Sequence, residues 1–190
     1  MSLAASKHMF FILRCSILVD SIMFETIRSL GTISRAEFLL PNLGSLIMGL
    51  AWGATPSTSI SGLAVLIVLS FTIINLSSAI GAQANTLSDR ELDSRDERKK
   101  LLVEATNSFR PNRLEEALII EFLLTLILVS LFMYIQQKPV LLVLWIIGIS
   151  LGCGYSLKPI RFKSRKWLAP ISLILVLAIF PVLFAYYTFT

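Results

Sequence analysis

The sequence predicts an all-α fold: a polytopic transmembrane helix bundle of about five spans, preceded by a helix lying in the membrane interface. Three observations carry that expectation. Hydrophobic residues make up 55% of the 190 residues and charged ones only 15%, against about 25% charged in a soluble domain. The mean hydropathy is +0.78, and runs such as 60–84 hold no charged side chain. A chain of this length has too little interior to bury such runs in a soluble core. The runs are also continuous, without the in-out alternation of outer-membrane strands, which argues against a barrel.

Taken in order, residues 1–35 form an amphipathic interfacial segment. Arg14, Ser21, Glu25 and Arg28 recur along one helical stripe with Phe, Ile and Leu elsewhere, and Asp20 lies beside it. That is the pattern of a helix in the plane of the headgroups. Arg14 and Asp20 interrupt the apolar core that a signal peptide would need. A hydrocarbon layer of about 30 Å takes about 20 helical residues to cross. Apolar runs near that length fall at 38–54, 60–84, 117–135, 139–157 and 167–187, and together with their loops they make residues 36–190 one transmembrane domain. Lys and Arg concentrate in the loops 85–113 and 158–166. The positive-inside rule therefore puts both loops and the amino end in the cytoplasm. Loop orientation and acidic lipid headgroups account for the net charge of +5 without nucleic acid. Within the first loop Leu101, Leu102, Val103 and Ala105 suit a short amphipathic helix. Cys15 and Cys153 lie far apart in apolar surroundings, so neither a disulfide framework nor a metal site is expected from them.

Two polar stretches could carry chemistry. In 85–93 the oxygen-bearing Asn85, Asp89 and Asp93 recur every four residues, which puts them on one face if the second spanning helix continues that far. The same face runs back to Ser78 and Asn75, and polar groups at membrane depth face a bundle interior or a wet cavity. Such donors suit Mg²⁺ completed by substrate phosphates; equally, Asp89, Glu91, Asp93, Asp96 and Glu97 could simply pair with Arg90, Arg95, Arg98, Lys99 and Lys100 on a solvated surface. The second stretch, 155–163, holds Tyr155, Lys158, Pro159, Arg161 and Lys163. Its cations could clamp a diphosphate or serve as a positive-inside anchor. Glu121, near the end of its helix, is expected to reach Arg113 or the headgroups. Asn42 could line the cavity, and Gly148 with Gly152, together with Gly154, reads as a close helix contact.

Together the two stretches resemble the UbiA superfamily of intramembrane prenyltransferases. Asn85, Asp89 and Asp93 match its NDxxDxxxD run, with Thr86 replacing the second-position Asp. Tyr155, Ser156, Pro159, Arg161 and Lys163 match its YSxPPxRxK loop, with Lys158 replacing the first proline. The resemblance implies an all-α bundle around a lipid-open cavity that transfers a polyisoprenyl group from its diphosphate to an acceptor with help from Mg²⁺. By carry-over, Asn85, Asp89 and Asp93 hold metal; Asp89, Asp93 and Tyr155 are catalytic; and Arg98, Lys158, Arg161 and Lys163 bind the diphosphate. The partners implied are a polyprenyl diphosphate, a prenyl acceptor and membrane lipids. No Asp follows Asp96, so the family's second Asp-rich motif is missing, and the expected bundle is incomplete, as the amino-terminal half of an enzyme would be. The alternatives are a non-catalytic prenyl-lipid-binding or assembly protein and, less favoured, a transporter subunit using Asn75, Ser78 and Glu121.

Overall fold

The structure is a computed structural model that describes residues 23–54 and 60–190. Among the described residues it is helical throughout, with no strand. The helices are α1 (23–33), α2 (Leu39–Gly53), α3 (Ile60–Asp93), α4 (Lys100–Phe109), α5 (Pro111–Gln136), α6 (Pro139–Ser156) and α7 (Leu168–Phe189), the last with a π turn over Leu175–Ile179. The parts of the interfacial segment at 1–22 and of the second span's approach at 55–59 lie outside the described residues.

Proline sets the starts of two spans. Pro111 and Pro139 occupy first-turn positions of α5 and α6, where no N–H is needed and the fixed φ suits the helix. Gln137 takes a left-handed φ of 54° and closes a tight turn that makes α5 and α6 antiparallel neighbours. Among the described residues four helices are long and apolar enough to cross a membrane: Gly62–Asp93 of α3, α5, α6 and α7. The segment expected to span at 38–54 contributes a helix of 15 residues, about 22 Å at 1.5 Å per residue. It is therefore shorter than the hydrocarbon layer, and it is held by its neighbour α7.

The outside is as apolar as the inside. Leu40, Val65, Val68, Ile120, Ile127 and Leu131 are exposed, as a lipid-facing surface requires. The core is built from Leu46, Ile73, Val129, Phe132, Leu141, Trp145 and Phe184, with α3 touching α2, α5, α6 and α7. Lipid tails are as apolar as these side chains, so van der Waals fit and interhelical hydrogen bonds hold the bundle. Asn42, buried at the start of α2, donates through Nδ2 to Asn75 Oδ1 at 2.9 Å and to Ser78 Oγ at 3.0 Å. The polar stripe on α3 thus faces the bundle interior.

The amphipathic helix expected after residue 100 is α4, which buries Ala105 and Thr106 and leaves Leu101 exposed. Ile33 of α1 packs with Ala105 and Leu114 in a second, smaller core, while Met23, Phe24 and Ile27 are exposed. One sequence expectation is corrected here. The close helix contact lies at Gly49 and Gly53, where an added Cβ would come within 2.7 Å of the Tyr186 nitrogen and 2.5 Å of the Tyr186 carbonyl oxygen. At Gly148 and Gly152 the nearest atoms would be at 3.8 and 3.6 Å, which is ordinary contact. Gly154 does meet the expectation, with a Cβ 3.2 Å from the Phe162 ring.

Candidate functional site

Because α3 runs unbroken to Asp93, Asn85, Asp89 and Asp93 share one face, and two loops fold over it. After α6 the chain passes through Leu157 and a cis Lys158–Pro159 bond to Arg161, whose φ of 39° is left-handed. The Ser164 hydroxyl donates to the Arg161 carbonyl at 2.8 Å. Phe162 lies against Gly154, where an added Cβ would come 3.2 Å from the ring, tighter than ordinary contact. That packing turns Arg161 and Lys163 back toward α3.

The result is an ion-paired mouth. Lys163 Nζ lies 2.5 Å from Asp89 Oδ2 and donates to Asn85 Oδ1 at 3.3 Å. Arg161 reaches Asp89 Oδ1 at 3.3 Å, and the Ser156 hydroxyl donates to Asn85 Oδ1 at 2.7 Å. The Ser88 hydroxyl donates to the Ser156 carbonyl at 2.8 Å, fixing α6 to α3. The side chains of Asp89 and Lys163 are only 13% and 14% exposed, so each charge depends on its partner.

On the other side, Asp96 accepts the Arg98 N–H at 3.1 Å and caps the short turn Glu97–Lys99. The turn delivers Lys99 Nζ to Asp93 Oδ1 at 2.5 Å. The remaining oxygen, Asp93 Oδ2, is buried without a partner. Two carboxylates thus face three cations, a balance that favours a bound anion. Among the described residues no three of His, Cys, Asp and Glu come together. Asn85 Oδ1 and Asp89 Oδ2 share Lys163 Nζ, so these two oxygens lie close enough to serve one hard cation, and Mg²⁺ needs only one or two protein carboxylates when water and phosphate complete its shell. Asp93, two turns from Asn85, points its charge at Lys99.

Below the mouth lies a cavity of about 230 Å³ lined by Asn85, Tyr155, Ser77, Ser78, Arg35 and Ser172 among others. It joins a narrower, apolar slot between α3, α6 and α7 that Ile73, Trp145, Phe180 and Phe184 line. Tyr155 is half-buried at the upper end. Val176 and Leu177, which line the cavity wall with Ser172 and Leu173, lie in the π turn, a local irregularity common at functional sites.

Of the residues singled out in the sequence, Asn85, Asp89, Arg161 and Lys163 are joined by hydrogen bonds and ion pairs, Tyr155 lines the cavity with Asn85, and Asp93, on the same helix face, is paired with Lys99 instead. Lys158 is exposed and lines a neighbouring polar pocket with Arg161, Ser88 and Glu91. Arg98 stands apart: its guanidinium pairs with Asp96 at 2.9 Å and its side chain is 89% exposed. The Asp96 carboxylate holds the Arg98 pKa up, and Arg98 in turn holds Asp96 below its ordinary value. Glu121 also departs from expectation. It accepts a hydrogen bond from Gln83 Nε2 at 2.8 Å instead of reaching Arg113, and the same amide donates to Ser34 Oγ at 3.0 Å. The surface-pairing alternative holds for Asp93 with Lys99 and for Asp96 with Arg98, and Arg35, which lines the cavity, is the residue that sequence reasoning missed. Lys99 is six residues beyond Asp93 on a turn, so no helical period relates them, and Arg35 was counted with the interfacial segment.

A family model described as "UbiA prenyltransferase family" matches residues 39–190. No curated protein and no solved structure matches the chain.

Proposed function

The chain belongs to the UbiA prenyltransferase family, and on that premise we propose that it transfers a polyisoprenyl group from its diphosphate to a lipid-soluble or aromatic acceptor in a Mg²⁺-dependent reaction. The observation that carries the proposal is the convergence of Arg161 and Lys163 on Asp89 at the mouth of an apolar cavity. Cations already paired with carboxylates can exchange those partners for phosphate oxygens at little electrostatic cost, provided the carboxylates gain a cation in return. Asn85 and Asp89 would hold the Mg²⁺, whose chemistry is to offset charge on the departing diphosphate.

The roles of the chain's own groups follow. Arg161 grips the diphosphate with a planar fork and Lys163 with a point charge, while Lys158 extends the positive rim. Tyr155, at the cavity's upper end, presents its ring to the reacting allylic carbon, where an aromatic face stabilises positive charge. The allylic C–O bond breaks with both electrons leaving on the diphosphate. The acceptor supplies the electron pair of the new bond and gives up a proton. The helices around the cavity exclude the water that would otherwise capture the cation. By the charge bias of its loops the mouth faces the cytoplasm.

The test is transfer of a labelled prenyl group by the chain and its Asp89→Ala and Asp93→Ala variants in lipid vesicles. Both variants are expected to lose transfer; unchanged turnover would sink the assignment of this mouth. Saturable donor binding without any product would identify a non-catalytic prenyl-lipid-binding protein instead.

A further inference from the structure

The cavity beneath the ion-paired mouth has a measurable depth and a floor. The mouth chamber and the apolar slot are one passage, since Ser77, Ser78, Gly81, Gly152 and Val176 line both. Three helices give its length independently. From Asn85 to Ile73 on α3 and from Ser172 to Phe184 on α7 is twelve residues each, and from Tyr155 to Leu144 on α6 is eleven. At 1.5 Å per residue that is about 17–18 Å. An extended chain advances about 3.3–3.6 Å over the three bonds of one residue, so the four bonds of an isoprene unit span about 4.5–5 Å. Beyond Phe184 and Ile73 the way is filled by Leu46, Phe132, Leu141 and Phe189, all buried.

The floor is also held in place. The Trp145 indole N–H donates to Ser77 Oγ at 3.0 Å, Ser77 donates to the Ile73 carbonyl at 2.6 Å, and the Phe122 ring centre lies 5.5 Å from that of Trp145. The slot's side exists because Gly148 and Gly152 carry no side chain. One added carbon at either would make only ordinary contact, 3.8 Å from Phe180 or 3.6 Å from Val176, but a branched chain would occupy the passage itself. In a membrane a prenyl tail gains little from leaving lipid, so fit decides: packing contacts accumulate until the tail meets the floor, after which it clashes.

We propose that this chain selects donor tails of about four isoprene units, with Trp145, Phe180 and Phe184 setting the limit and Gly148 keeping the slot open. The inference rests on the prenyl-diphosphate reading above. The experiment is competition for bound tritiated geranylgeranyl diphosphate, using the full chain in detergent micelles with Mg²⁺ and unlabelled geranyl, farnesyl, geranylgeranyl and hexaprenyl diphosphates as probes. Geranylgeranyl diphosphate should compete best, with the hexaprenyl donor weaker by about tenfold. Gly148→Leu should weaken geranylgeranyl diphosphate by about tenfold while leaving the geranyl donor unchanged. Phe180→Ala, at a half-buried position that folding tolerates better than Phe184, should move the optimum toward longer tails. Equal competition by all lengths, or a Gly148→Leu loss shared equally by all of them, would overturn the floor. If that flat binding still requires Asp89, the functional reading stands without the length limit. No saturable binding of any diphosphate would overturn both.

Discussion

Helix α7 meets two pairs of glycines spaced four apart. Gly49 and Gly53 on α2 lie against its backbone at Tyr186, whereas Gly148 and Gly152 on α6 face the side chains of Phe180 and Val176 across a cavity. The sequence pattern is the same, but the first pair closes a contact and the second opens a passage. The difference comes from the partner: backbone atoms cannot withdraw, so glycine is required there, while side chains standing off at van der Waals distance leave room for a ligand. Small residues four apart therefore mark a place where something approaches, and only the facing surface says whether it is a helix or a substrate.

The sharpest way to break this comparison is to fill the closed side. Gly53→Leu should cost about 3 kcal/mol, since the new side chain meets the Tyr186 carbonyl and neither helix can move without uncovering Phe189; unfolding in detergent micelles measures it. Next comes the mouth above the open side. Lys163→Met strands half of the Asp89 carboxylate and should cost about 2 kcal/mol, with Asp89→Asn in the same chain restoring part of the loss, because an unpaired buried charge is worse than none. Further down α3, Asn75→Leu removes one of the two acceptors of the buried Asn42 amide and should cost about 1–2 kcal/mol.

Gly148→Ala sharpens the comparison from the other direction. Its Cβ meets nothing closer than 3.8 Å, so the change should be neutral or stabilise by up to about 1 kcal/mol through helix propensity. A loss like that of Gly53→Leu would show both pairs to be closed contacts. The smallest effect belongs to the surface pair of Asp96 and Arg98. The side-chain hydrogen bond from Arg98 holds the Asp96 pKa below its ordinary 3.8. The carboxylate's small contribution to the turn is therefore present above that value and lost as pH falls through the lower folded one, a melting difference from Asp96→Asn that should vanish at acid pH.

How legible all this was in the sequence depended on period. Helices were readable because apolar runs near membrane thickness have few alternatives, and Asn85, Asp89 and Asp93 were readable because a helix converts a spacing of four into a shared face. The bounds of α2 were equally readable, since Arg35 and Glu37 precede it and Thr55 to Ser59 follow it; only its length falls short of a full crossing. Contacts across loops were invisible. Lys99 reaches Asp93 only through the Asp96-capped turn, and Arg98, one residue earlier, is carried to Asp96 instead. Glu121 was assigned to the headgroups because its partner Gln83 lies 38 positions earlier on another helix, a separation no local pattern reports. The Gly148 and Gly152 pair was misplaced for the same reason: what it faces is on α7.

The central claim is that the Asp89 carboxylate, now shared by Arg161 and Lys163, belongs to a metal-assisted diphosphate site. Its most direct test is equilibrium binding of geranylgeranyl diphosphate to the chain and to Asp89→Asn, each with Mg²⁺ and with chelator. The account predicts saturable binding that needs Mg²⁺ and falls by about a hundredfold in the variant. Binding of equal strength in all four conditions would contradict it.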